Sequence, residues 1–218
     1  MLTKTTKIIS AALILLIVSS CGTAMKYSWT KDGFSGKKFE KILVIGASRN
    51  IQSRTVFENT TVVKLLAKEN ITAQNSLKAL PPIQDISQIS EERIMAAVKE
   101  GNYDGVLVAT LVDVNIQDVR ESGTTMYGPM YGGRGYYGRG YGRYIYSGYN
   151  YMYTPDYYKQ QKTYVVETRL YDANAQSIEK ALVWSGQSNI TDPSSFESGA
   201  SSYAQTLVKS LLKSDLIR

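Results

Sequence analysis

Val106-Leu107-Val108-Ala109-Thr110-Leu111-Val112-Asp113-Val114-Asn115-Ile116-Gln117 changes its pattern halfway along. Through Ala109 every side chain is apolar, as in a strand covered on both faces. Beyond it, Val112, Val114 and Ile116 alternate with Asp113, Asn115 and Gln117, as in a strand with one face in water. A strand that starts between two covering layers and ends half wet belongs to an α/β fold with a mixed sheet.

The elements upstream fit that reading. Ile42-Leu43-Val44-Ile45 is a second continuous apolar run, ending at Gly46, and predicts a central parallel strand. Val56, Thr60, Val63 and Ala67 predict the inner face of a helix from Arg54 to Glu69, and Ile71 to Gln74 predicts a short strand. After Pro81-Pro82 a helix is expected over Glu91–Glu100, with Ser90 as its N-cap and Gly101 near its stop.

Downstream, Tyr164, Val166, Thr168 and Leu170 alternate with Val165, Glu167, Arg169 and Tyr171. Leu182 and Trp184 then recur opposite Val183 and Ser185, which predicts two antiparallel strands joined by a loop around Asp172 to Lys180. Ser194 with Glu197 reads as a capping box, and Phe196, Ala200, Tyr203, Leu207 and Leu211 as the inner face of the last helix. Right-handed crossovers put the first strand between the second and third, giving a mixed five-stranded sheet of order 2-1-3-4-5 in a two-layer or three-layer α/β domain over residues 40–218.

Composition removes many chemistries. Among 218 residues there is no His and one Cys, so the Ser/His/Asp triad, the Cys/His pair and most metal sites lack their parts. No cofactor motif is present. Glu91 and Glu92 suit a helix N-terminus, and Asp113 and Asp118 a wet strand, better than paired acid/base work. The expectation is a protein that is not an enzyme.

At the N-terminus, Lys4 and Lys7 precede an apolar stretch, Ile8 to Val18, followed by Ser19, Ser20 and Cys21. The stretch is too short to span a bilayer, which takes roughly 20 residues, and has the layout of a secretory signal peptide. Val18-Ser19-Ser20-Cys21 resembles the bacterial lipobox. The resemblance implies cleavage after residue 20, a thioether lipid on Cys21 and acylation, palmitate included, of the new N-terminus. Several acyl chains make a stable anchor where one does not. Gly22 after the cysteine resembles lipoproteins of the outer membrane facing the periplasm, with surface exposure left open. Residues 21–39, with Gly22, Gly33 and Gly36, are expected to be a flexible tether.

Lys41 to Ala47, Asp104 to Val114 and Tyr171 to Gly186 together resemble the small α/β periplasmic domain of the curli secretion lipoprotein family. That resemblance implies an envelope domain whose inserted hairpin carries its specialised role. Such an insertion is present at residues 123–162, which hold 12 of the 17 Tyr and 9 of the 17 Gly. Of the formal charge of +6, Lys4 and Lys7 supply two and residues 123–162 the other four, leaving the rest of the chain neutral. So much glycine with so little aliphatic surface predicts a mobile arm.

Within the arm, Tyr127, Tyr131, Arg134, Tyr136, Tyr137, Arg139, Tyr141, Arg143 and Tyr144 are the candidate contact residues. Tyr stacks on sugars and supplies rigid contact area at low entropic cost, while Arg meets anions. The same alternation suits RNA, but export removes intracellular nucleic acid. An envelope protein or glycan is the expected partner, self-association into a homo-oligomer is the alternative, and an idle low-complexity loop is the plain reading. A weaker candidate is the loop after the first predicted strand, where Ser48, Arg49, Arg54 and Glu58 could line an anion pocket. The plainer reading there is a solvated cap with an Arg54–Glu58 pair one turn apart.

Overall fold

Ile42, Leu43, Val44 and Ile45 are all fully buried, and the rest of the molecule is layered around them. The computed structural model describes residues 23–34, 37–48, 50–68, 70–80, 90–116 and 162–218. Within them the strands are β1 (Ala24–Thr30), β2 (Lys41–Gly46), β3 (Thr72–Asn75), β4 (Gly105–Ile116), β5 (Lys162–Asp172) and β6 (Leu182–Thr191). The helices are α1 (Ile51–Leu66), α2 (Glu91–Glu100) and α3 (Phe196–Lys213), with a 3₁₀ turn at Ser76–Lys78 and a one-turn helix at Ile178–Ala181.

The sheet is mixed and its order is β1-β6-β5-β4-β2-β3. β2 pairs parallel with both β3 and β4, while β4, β5, β6 and β1 follow one another antiparallel. The expected five strands are present in their expected order. The sixth is a correction: Ala24–Thr30, expected as flexible tether, is an edge strand paired with β6 from Ala24↔Asn189 to Thr30↔Trp184. Lys26 falls in a bulge between Met25 and Tyr27, a charge on an outer edge that discourages further strand addition.

Alternation along the central strands feeds two cores. Ile42 and Val44 of β2 and Leu107 and Ala109 of β4 pack with Leu65 of α1 and with Tyr203, Leu207 and Leu211 of α3. Leu43, Ile45, Val106 and Val108 point the other way, onto Ile94, Ala97 and Val98 of α2. The domain is therefore three layers, with α1 and α3 on one face of the sheet and α2 on the other. β4 is fully buried from Gly105 to Thr110 and then loosens toward Ile116, as its change of pattern requires.

Helix ends follow local chemistry, with some differences from the expectation. Ser90 caps α2 by accepting a hydrogen bond from the Arg93 amide. Gly101 follows that helix with an ordinary φ, and the left-handed residue is Asn102. Glycine is required at 101 because a Cβ there would lie 2.0 Å from the Tyr103 ring. The capping box of α3 is Ser195 with Ser198, one residue later than expected, so Phe196 starts the helix and is 49% exposed. α1 starts at Ile51 instead of Arg54 because Asn50 caps it, accepting from the Ser53 amide. Its buried face is Arg54, Glu58, Thr61 and Leu65, and Val63, expected inside, is exposed.

Candidate functional site

The loop after β2 was a candidate anion pocket, and its geometry is now defined. Ser48 is half-buried, and its hydroxyl accepts a hydrogen bond from the Asn50 amide at 3.2 Å. Arg49 lies outside the described residues. Arg54 and Glu58 point inward, at 2% and 0% exposure. Arg54 Nε donates to Glu58 Oε1 at 2.9 Å, and its Nη2 donates to Ser76 Oγ at 2.6 Å and to the Leu80 carbonyl at 2.8 Å.

Glu58 gathers the surrounding backbone. Its Oε1 also accepts from the Gly46 amide at 2.9 Å and from Ser76 Oγ at 2.6 Å, and its Oε2 accepts from the Ser76 amide at 2.7 Å. One carboxylate thus joins the end of β2, the first turns of α1 and the 3₁₀ turn after β3. Helix and strand come close enough for this because residue 46 is glycine; a Cβ there would sit 3.0 Å from the Phe57 ring. The Arg54–Glu58 pair was expected in solvent and is instead buried, because Ser76 and Leu80 close over it. A buried pair is tolerable only when its remaining donors and acceptors are satisfied, and here they meet internal partners. The arrangement is a clasp, with its anion-binding groups already occupied by the protein.

A second concave region was not signalled by any motif. A cleft of about 330 Å³ is lined by Lys37, Lys38, Phe39, Asn70, Ile71 and Arg218. Its lysines face acidic partners: Lys37 donates to Asp172 and Lys38 to Asp215. Only the tertiary fold brings residues so distant in sequence together.

The third region is the end of the β4–β5 pair from which residues 117–161 continue. The two strands stay in register to Ile116↔Lys162, with a bulge between Leu111 and Asp113. The outer pair is tied to β6 by the hydroxyls of Thr163 and Thr191, 3.2 Å apart. The candidate contact residues from Tyr127 to Tyr144, and Cys21, lie outside the described residues. Lys162, the last residue of the expected arm, begins β5.

Two buried phenols flank the antiparallel part of the sheet, one on each face. The Tyr203 hydroxyl on α3 is hydrogen-bonded to Thr168 of β5, and its complete burial pushes the phenol far above its usual range. Tyr171 on the opposite face is pushed up to about 12 by burial, partly offset by Arg169. Among the described residues no cluster of three metal-ligating side chains occurs, and no helix is long and apolar enough to cross a membrane.

No protein-family profile matches the chain, and no curated protein matches it. Among solved structures it is similar to the PelC dodecamer from Paraburkholderia phytofirmans, at 14% identity over 83% of this chain and 94% of that one, with a TM-score of 0.42. It is also similar to a DUF4136 family protein from Bacteroides thetaiotaomicron, at 10% identity over 84% and 94%, with a TM-score of 0.40. A further similar structure is lipoprotein GNA1162 from Neisseria meningitidis, at 14% identity over 80% and 96%, with a TM-score of 0.35.

Proposed function

We propose that this chain is a lipid-anchored protein of the bacterial cell envelope that works as a non-catalytic binding module. Its Tyr/Arg/Gly segment, residues 123–162, contacts an envelope protein or a glycan, and the lipid on Cys21 holds the domain at the outer membrane on its periplasmic side. The observation that carries the reading is the hairpin beneath the segment. β4 and β5 are 12 and 11 residues long, about twice the usual strand, and they remain paired to the Ile116↔Lys162 step. A core domain alone does not need that length. It suits a support that displays whatever is inserted between its strands.

In-cell photocrosslinking tests this directly, with a probe replacing Tyr141 and a control probe replacing Lys180, which is exposed near the other end of the sheet. A discrete band from position 141 alone, identified by mass spectrometry, supports a protein partner. Equal patterns from both positions, together with no retention on envelope glycan, overturn the reading. A second reading has its own observation: Tyr27 and Trp29 on edge strand β1 are 54% and 44% exposed, a surface suited to a second copy. Light scattering that gives a strict monomer with and without residues 123–162 removes it.

A further inference from the structure

We propose that the hairpin end of the sheet faces the lipid bilayer, so that the anchor and both roots of the inserted segment lie on one membrane-apposed surface. The inference rests on the lipid anchor proposed for Cys21 and adds an orientation that the anchor alone does not give.

The argument starts from strand register. Ala24 pairs with Asn189, Asn189 with Val165, and Val165 with Asp113, so these four residues form one row across β1, β6, β5 and β4. Three residues further along β4 is Ile116, and three residues earlier on β5 is Lys162, the two roots of the insertion. β1 runs antiparallel to β6, so the chain leading back from Ala24 heads toward that same end. The start of β1 and the outermost described pair of β4 and β5 therefore lie at the same end of the sheet, although some ninety residues separate Ala24 from Ile116 in sequence.

The tether length then limits the geometry. Residues 21–39 were expected to be flexible, and a tether of that length would let the domain turn freely above a membrane. The structure leaves almost none of it on the lipid side. Thr23 is pinned to α3: its amide donates to Ser202 Oγ at 3.3 Å, and its carbonyl accepts from Thr206 Oγ1 at 3.3 Å. Cys21 is two residues away, and two residues span at most about 7 Å. β5 alone, at 11 residues, is about 35 Å long. Ser202 and Thr206 stand midway along α3, and Ala24 shares a row with Val165, the fourth residue of β5. The pin therefore lies in the hairpin half of the sheet, and a lipid held there keeps the opposite end the farther of the two from the bilayer.

Charge does not make this choice. Among the described residues the end carries Lys26 and Lys162 against Asp113, Asp192 and Glu197, a mixed set without a dominant sign. Phe196, half exposed at the start of α3, adds an apolar ring at this end of the kind that inserts shallowly at a bilayer surface. Ile116 and Lys162, between which residues 117–161 are inserted, both lie at this end, so a partner bound by the insertion is met near the membrane.

The test uses the full-length lipidated protein in phosphatidylethanolamine/phosphatidylglycerol vesicles containing a headgroup-attached nitroxide quencher. A thiol-reactive fluorophore is placed singly at Asn115→Cys and Glu197→Cys on the hairpin end, and at Asn174→Cys and Lys180→Cys on the opposite end; all four positions are exposed. The expected result is quenching several-fold stronger at 115 and 197 than at 174 and 180. Equal or inverted quenching on protein whose Cys21 carries lipid overturns the orientation and leaves the binding-module reading standing. Protein found by mass spectrometry without lipid on Cys21 overturns both.

Discussion

The parallel and antiparallel halves of the sheet are held in different ways. In the parallel half, β3-β2-β4, the strands are short or fully covered, and a buried ion pair ties strand, helix and turn together through Glu58. In the antiparallel half, β4-β5-β6-β1, the strands are long, and hydroxyls such as Tyr203 on Thr168 tie sheet to helix. The buried Arg169 pairs with Glu167 of its own strand, so that ion pair joins no second element. The first arrangement fixes a position at the cost of complete dependence on each partner. The second tolerates water along one face and so can extend outward.

Removing one partner of the clasp should have the largest effect. Glu58→Ala leaves the Arg54 guanidinium buried without its carboxylate and frees the Gly46 and Ser76 amides, a loss of about 3–5 kcal/mol. Denaturant unfolding gives the total. Amide exchange separates the halves: β2 and β3 should lose protection while β5 and β6 retain most of theirs. Uniform loss across all six strands would show that the two halves behave as one unit.

Alkaline pH acts on the other half. Tyr171 and Tyr203 are held protonated by burial, Tyr171 up to about 12, while in the unfolded chain a tyrosine ionises near 10. The folded-state pKa is the higher, so this contribution is complete below pH 10. Between pH 10 and 12 the unfolded state releases protons that the folded state retains, and stability falls by about 1 kcal/mol per pH unit for each phenol. Stability measured by urea unfolding from pH 9 to 12 should decline along that slope, and Tyr171→Phe should make it shallower. An unchanged slope in that variant would mean that Tyr171 is not the group titrating.

The same division decides how much of the fold could be read from sequence. Ile42–Ile45 and Val106–Ala109 are uniformly apolar because both their faces are covered, so the parallel core, its strand order and the switch to one wet face in β4 are legible. Edge strand β1 is not. It has only one neighbour, exposes Tyr27, Ser28 and Trp29, and spends Lys26 in a bulge that breaks the period of two. The clasp was half legible: Arg54 and Glu58 stand one turn apart as an ion pair should, but polar residues on the inward stripe of α1 shift the apparent apolar face to Val56, Thr60 and Val63. The signal for the true face is the continuation of Arg54 and Glu58 at helical spacing into Thr61 and Leu65. Closure by Ser76 and Leu80 is a tertiary fact that no local pattern announces.

A smaller loss is expected where α3 begins. Ser195 accepts from the Ser198 amide while the Ser198 hydroxyl accepts from the Ser195 amide, each at 3.1 Å. Ser195→Ala removes one arm of this reciprocal pair and should cost about 1 kcal/mol. Ser194→Ala, at the position first expected to be the cap, should cost less. Thermal melts of the two variants side by side decide which serine is the cap.

The smallest effect should come from the outermost strand. Trp29 pairs with Ser185 across the edge but is 44% exposed, so Trp29→Ser removes little buried surface and should change stability by no more than about 0.5 kcal/mol. If unfolding nonetheless shows a loss of several kcal/mol that grows with protein concentration, Trp29 is buried in an assembled form, and β1 is an interface as well as an edge. A small, concentration-independent change leaves β1 as the strand that ends the sheet and fixes Thr23 against α3, with its aromatic side chains facing outward.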